Sequence, residues 1–254
     1  MRLKSGINFY SGKVVRSGNI IEVYRYEKGI FTGGGDNIVG RAGNGNTSEE
    51  QKEKNRELVL MRARRNLRRI VNANINQYGV SSKFVTLTFR DNVKDLDVAN
   101  NEFRQFIKRL NYRIYKKKCS KLKYSCVVEF QKRGAVHYHI IFYNLDYIDS
   151  KVLEEVWGNG FVKVNRIDDI DNVGAYICKY MSKDLNDDRL LGRKLYFNSR
   201  GLIKPVEQYI DEEDIEDLKN SLPKESLVFK KEFINDYVGI INYEQYNISI
   251  DNKK

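Results

Sequence analysis

The stretch Glu129-Phe130-Gln131-Lys132-Arg133-Gly134-Ala135-Val136-His137-Tyr138-His139-Ile140-Ile141-Phe142-Tyr143 holds both histidines of the 254-residue chain, one residue apart. Their neighbours are β-branched and aromatic, the composition of a strand. Side chains alternate faces along a strand, so His137 and His139 project from the same face. Two imidazoles that close supply half of a divalent-metal site, and a carboxylate is the natural third ligand. Glu129 lies on the preceding apolar run, Leu122 to Phe130, and a turn at Lys132-Arg133-Gly134 brings that run back antiparallel. Against this stands a plainer reading, two partly exposed histidines on an ordinary sheet, because a pair at this spacing also arises by chance.

Upstream of the histidines, Ser82-Lys83-Phe84-Val85-Thr86-Leu87-Thr88-Phe89 reads as a central strand. Residues 96–118 follow as an amphipathic helix with an apolar stripe of Phe103, Phe106, Ile107, Leu110 and Ile114. The lysine run 116–118 then suits the negative end of that helix. Downstream, a short helix near Ser150–Trp157 and a turn at Gly158-Asn159-Gly160 lead to the strand Phe161-Val162-Lys163-Val164.

A second stretch, Asp171 to Asp184, has helical spacing. At about 100° per residue, Val173, Gly174, Ile177, Cys178, Met181 and Leu185 gather on one side. Tyr176, Lys179, Tyr180 and Lys183 fall on the other, as a polar stripe of two phenols and two ammonium groups. A tyrosine of ordinary pKa, about 10, is a poor nucleophile until a cation or metal favours its phenolate. Lys179 and Lys183 can supply that charge or hold a phosphate. The competing reading is tyrosines and lysines covering an ordinary helix surface.

The rest of the chain is less specific. Residues 7–30 alternate as strands around a hairpin turn at Arg16-Ser17-Gly18-Asn19. The glycine- and asparagine-rich stretch 33–46 reads as a flexible linker, since it lacks the lysine and following helix of a phosphate-binding loop. A long helix is expected from about Ser48 to Tyr78, with Gly79 as its stop. Its arginines, Arg62, Arg64, Arg65, Arg68 and Arg69, form either a solvated face or a DNA contact. The net charge of +11 points to a polyanion, with nucleic acid ahead of membrane. No apolar run reaches membrane-span length, and the N-terminus has no signal-peptide core. Cys119, Cys126 and Cys178 are isolated cysteines without metal-knuckle spacing, as expected of a reducing, cytoplasmic setting.

Taken together, the two informative stretches resemble the HUH endonuclease superfamily, in particular rolling-circle replication initiator (Rep) proteins of plasmids and single-stranded DNA phages. Phe84-Val85-Thr86-Leu87-Thr88-Phe89 looks like the first, strand-forming motif. Gly134 to Ile141 looks like the histidine–hydrophobe–histidine motif, with Tyr138 at its centre. Ala175-Tyr176-Ile177-Cys178-Lys179-Tyr180-Met181-Ser182-Lys183-Asp184 looks like the tyrosine motif in its two-tyrosine form. Gly192 to Leu202 resembles the segment that follows. The likeness spans roughly residues 80–205.

The resemblance implies an α+β fold: an antiparallel five-stranded central sheet, related to the RRM-like fold, with flanking helices. An N-terminal hairpin and a C-terminal extension add to it. The expected boundaries are 1–47 for the hairpin and linker, 48–205 for the endonuclease domain and 206–254 for the extension. Residues 7–30 or the tail are expected to supply any further strand of the sheet. The resemblance also implies Mg²⁺ or Mn²⁺ on His137, His139 and Glu129, with Gln131 a nearby alternative to the glutamate. It makes Tyr180 the first nucleophile, Tyr176 the second, and single-stranded DNA at a replication origin the substrate. No GxxxxGK[ST] motif is present, so a separate host helicase is expected, and a host polymerase would extend the nick. The acidic run Asp211 to Asp217 is expected to be a solvated helix face. Two other readings use the same residues: a transposase or mobilisation relaxase of that superfamily, or a non-catalytic protein whose basic helices bind phosphate while its tyrosines stack on bases.

Overall fold

The computed structural model describes residues 8–32, 48–118, 120–167, 170–181, 188–190 and 192–249. The glycine-rich stretch 33–46, Cys119, Lys183 and Leu185 lie outside the described residues. In chain order the elements are strands β1 (Asn8–Ser17) and β2 (Ile20–Thr32), helix α1 (Glu49–Asn74), β3 (Lys83–Phe89), α2 (Leu96–Tyr115), β4 (Tyr124–Phe130) and β5 (Val136–Phe142). Then come α3 (Ser150–Trp157), β6 (Gly160–Asn165), α4 (Val173–Cys178), β7 (Tyr196–Asn198), β8 (Val206–Ile210), α5 (Glu212–Ser221), β9 (Leu227–Asn235) and β10 (Gly239–Asn247). The chain divides into two compact units: Glu50–Ile203, and Met1–Glu49 together with Lys204–Lys254.

In the first unit the sheet order is β6-β3-β5-β4-β7, antiparallel throughout, with β5 in the middle. This is the five-stranded antiparallel sheet with flanking helices that the sequence implies. Its fifth strand is neither residues 7–30 nor the tail. It is β7, three residues that pair with Ser125, Cys126 and Val127 of β4. One face of the sheet presents Val85, Leu87, Tyr138, Ile140 and Phe142, which share a buried cluster with Phe103, Phe106 and Leu110 of α2 and with Leu153 and Trp157 of α3. The other face carries Phe84, Val127 and Ile141, packed with Leu67 and Val71 of α1 and with Val173 and Ile177 of α4. Each such fully buried side chain contributes roughly 1.5–3 kcal/mol.

The helix ends follow local chemistry. Helix α1 stops at Asn74, four residues before the expected end. Asn74 uses its side chain to donate to the Ile203 carbonyl and accept from the Ile203 amide, and Asn76 turns left-handed at φ 56°. Helix α2 is capped by Asp95, which accepts from the amides of Asp97 and Val98, and it ends where Lys116 becomes left-handed at φ 52°. The lysine run therefore lies past the helix rather than in its last turn. Asp149 and Gly158 cap α3 at the expected ends.

In the second unit the order is β8-β1-β2-β10-β9, again antiparallel. β1 and β2 form the expected hairpin, with Ser17 opposite Ile20 and Gly18 at φ 60°. Residues near the N-terminus and the tail thus build one sheet with each other. Helix α5 places Ile215 in a cluster with Val14, Ile21, Val23 and Tyr246. The acidic run forms the first part of α5, capped by Asp211, and acidic residues suit that positive helix end. It is only partly a solvated face, because Glu212 and Glu216 both pair with Arg25 of β2. Among the described residues no helix is long and apolar enough to cross a membrane.

Candidate metal and tyrosine site

Strand register brings the site together. β5 runs between β3 and β4, and its His137 lies opposite Thr88 on one side and Glu129 on the other; His139 lies opposite Thr86 and Val127. Residues directly opposite one another in antiparallel strands share a face, so two threonines, two histidines and Glu129 stand on one face of the sheet. The hairpin that returns β5 against β4 turns at Gly134, φ 85°, with the Gly134 amide donating to the Gln131 carbonyl at 2.7 Å. That left-handed position is where glycine avoids the cost of a Cβ.

The ligand-bearing atoms of Glu129, His137 and His139 all lie within 4.8 Å of one another, a group that can hold a metal ion. Two imidazole nitrogens and a carboxylate oxygen suit a divalent first-row or alkaline-earth cation. Glu129 Oε2 is 2.6 Å from His139 Nε2, and Thr86 Oγ1 is 3.3 Å from Nδ1 of the same ring. Nε2 of His137 is met by Thr88 Oγ1 at 2.5 Å and by Gln131 Nε2 at 3.1 Å. Gln131 therefore contacts His137 while Glu129 contacts His139. Burial and then the neighbouring His139 push His137 down to about 4, so its ring is the neutral form that a cation binds.

The tyrosines come from α4, which is docked on α1 by small and amide side chains. Asn172 caps α4 by accepting from the Ala175 amide. Asn72 of α1 donates to Asn172 at 3.0 Å and accepts from the Gly174 amide at 2.8 Å. A Cβ on Gly174 would fall 2.3 Å from the Arg68 carbonyl, so only glycine lets the helices approach this closely. The regular helix ends at Cys178, short of the expected length. The amides of Lys179, Tyr180 and Met181 each bond three residues back, which tightens the chain into a 3₁₀-like turn.

Tyr176 and Tyr180 do not form a solvated stripe. Both are half-buried, and their hydroxyls are 3.0 Å apart. The Tyr180 ring stacks on His139, with centroids 3.9 Å apart and planes inclined by 25°. Phe84 packs against Tyr176 edge-on at 5.4 Å and against Tyr180 at 5.5 Å. Desolvation, then the Tyr176 hydroxyl, raise Tyr180 to about 12, which keeps its phenol protonated at neutral pH. Lys179 is exposed, with its Nζ 5.4 Å from the Tyr176 ring centroid. Lys183 lies outside the described residues.

Several contributors carried no sequence signal. Arg64 donates to the Met181 carbonyl, so at least one arginine of α1 fastens the tyrosine segment. Arg133 is anchored by the Phe89 carbonyl at 2.6 Å and by Gln131 Oε1 at 2.9 Å, beside an open cleft lined by Glu129 to Arg133. Arg189 lies 3.6 Å over the Phe130 ring. On β6, Phe161 is 62 % exposed and lies opposite Thr88, and Lys163 lies opposite Thr86, on the histidine face. Alternation along β6 indicates that face only once its register with β3 is known.

No curated protein and no solved structure matches the chain. Residues 82–185, which include Glu129, His137, His139, Tyr176 and Tyr180, match a family model described as a replication-associated protein of the ORF2 type, and over that span, under half of the chain, the sequence is similar to rolling-circle replication proteins.

Proposed function

We propose that this chain initiates rolling-circle replication by cutting and rejoining single-stranded DNA at an origin. The observation that carries the proposal is the stack of Tyr180 on His139, itself bonded to Glu129, inside the segment matched by the replication-associated family. Glu129, His137 and His139 would hold a divalent cation, Mg²⁺ or Mn²⁺, whose charge when bound polarises the scissile phosphate and offsets charge in the transition state.

Tyr180 acts as nucleophile. Its Oη forms a bond to phosphorus as the bond from phosphorus to the 3′ oxygen breaks. The phenol gives up its proton to solvent and the departing 3′ oxygen takes one up, so the step is balanced without ATP. The products are a 5′-phosphotyrosine and a 3′-hydroxyl that a host polymerase extends while a host helicase opens the duplex. Tyr176, hydrogen-bonded to Tyr180, donates to its oxygen before attack and is the second nucleophile when the replicated origin returns. Lys179 and Lys183 favour the phenolate and hold the phosphate. Thr86 and Thr88 orient the two imidazoles, and Asn72 and Gly174 set the position of the tyrosine segment.

The test is incubation of the protein and Mn²⁺ with end-labelled single-stranded DNA from its replicon's origin, followed by denaturing electrophoresis. A protein–DNA adduct that survives SDS, needs the metal and vanishes in His137→Ala or in Tyr176→Phe/Tyr180→Phe is the expected result. The phenylalanine pair keeps the stacking rings, so a non-catalytic binder would be unaffected by it. DNA binding with no adduct from active protein overturns the proposal.

A further inference from the structure

Strand β9 is an edge strand, paired with β10 on one side only. All nine of its residues are exposed, including Leu227, Val228, Phe229, Phe233 and Ile234. Long, apolar, exposed edges are unusual, because their open backbone groups template pairing with another strand.

Its sequence, Leu227-Val228-Phe229-Lys230-Lys231-Glu232-Phe233-Ile234-Asn235, is complementary to its own reverse. About a twofold axis at Lys231, an antiparallel copy places Phe229 opposite Phe233, Val228 opposite Ile234 and Lys230 opposite Glu232, and each pairing occurs twice. Opposed residues share a face, so the aromatic pairs meet on one side and the aliphatic and charged pairs on the other. Lysines commonly guard an edge against association. Here Lys230 would meet a carboxylate, and the like-charge contact is confined to Lys231 on the axis. A shift of one residue in register would set each apolar side chain against the wrong face.

We propose that β9 is a homodimerisation strand: two copies of this chain pair antiparallel through Leu227–Asn235, joining two five-stranded sheets into one of ten strands. The partner is a second copy because the charge and aromatic pattern matches itself. The proposal uses only the second unit and stands apart from the nuclease reading.

The experiment uses the full chain. In sedimentation at about 100 µM, where a dimer with a dissociation constant of roughly 10 µM is mostly associated, wild type is expected to be dimeric. Glu232→Lys replaces two attractive pairs by two repulsive ones and should weaken association about tenfold or more. Lys230→Glu/Glu232→Lys restores the pairs in swapped form and should restore the dimer, which separates pairing from misfolding. Lys231→Cys, treated with copper–phenanthroline, should give a disulfide-linked dimer, because opposed Cα atoms about 4.5–5.5 Å apart suit a disulfide. Val228→Cys, opposite Ile234, should not. A monomeric wild type at that concentration, or a dimer indifferent to Glu232→Lys with Lys231→Cys no faster than Val228→Cys, overturns the proposal.

Discussion

The two faces of the β6-β3-β5-β4-β7 sheet are built from alternate residues of the same strands, and they obey different rules. On β5, Val136, Tyr138, Ile140 and Phe142 are fully buried against α2 and α3. Between them His137 and His139 face the other way. On β3, Val85 and Leu87 enter the core while Thr86 and Thr88 meet the histidine rings. The packed face is held by area removed from water, which any well-fitting apolar set can supply. The site face is held by polar groups that satisfy one another sideways across strands, Glu129 to His139 to Thr86 and Gln131 to His137 to Thr88. β-Branched threonine fits this arrangement because it keeps the strand preference while offering a hydroxyl. Function is thus placed on a surface whose loss costs little stability.

The sharpest break in that comparison is Tyr176→Phe/Tyr180→Phe. Removing both nucleophiles should cut adduct formation by roughly a million-fold, below detection on a gel. The melting temperature should move by only a few degrees, since the rings and their packing on Phe84 remain. The opposite face should behave in reverse. Leu87→Ala should cost about 2–5 kcal/mol in a denaturant titration, and the protein still folded should form adduct at the normal rate. A Leu87→Ala protein that is stable but inactive would erase the distinction between the faces.

Much of this division is legible in the chain itself. Strict alternation marks β3 and β5, and two histidines two residues apart on a strand must share a face. The caps Asp149 and Gly158 delimit α3 for reasons internal to it. What escaped the sequence depends on distant partners. β7 has three residues, too few to show a period, and exists because Ser125–Val127 offer an edge. β2 pairs with β10, some two hundred residues away in the chain, which local propensity cannot reveal. The end of α1 at Asn74 depends on the backbone of Ile203. The helical wheel of α4 gives the tyrosines a common side but not the His139 ring beneath Tyr180, forty-one positions earlier. The assignment of Asn72 and Gly174 to docking that helix needed the contact between α1 and α4.

A finer test stays on the site face. Glu129→Gln keeps the size of the side chain and a partner for His139 but removes the negative charge. The Mn²⁺ concentration for half-maximal nicking should rise at least about tenfold, while the rate at saturating metal falls less. Stability should change little, because the carboxylate is partly open to solvent. An unchanged metal requirement would transfer the third ligand position to Gln131 or another group.

The smallest expected effect concerns the edge of the same face. Phe161 and Lys163 stand on β6, one strand beyond Thr88 and Thr86, and the aromatic ring is largely open to water. A single exposed aromatic residue needs no explanation by itself. An aromatic ring and an ammonium group two residues apart on one strand, beside a candidate phosphate site, form the stacking and charge pair used for single-stranded nucleic acid. If DNA leaves the site along this edge, Phe161→Ala should weaken single-stranded DNA binding roughly tenfold and leave the nicking rate at saturating DNA unchanged. Lys163→Ala should weaken binding less at moderate salt and lower the slope of log affinity against log salt by about 0.7, whereas Phe161→Ala should leave that slope unaltered. The two slopes together separate a base held by stacking from a phosphate held by charge. If neither variant changes affinity, the DNA path runs instead past Arg133 and Arg189 at the β4–β5 hairpin, where the guanidinium groups are already fixed by backbone carbonyls.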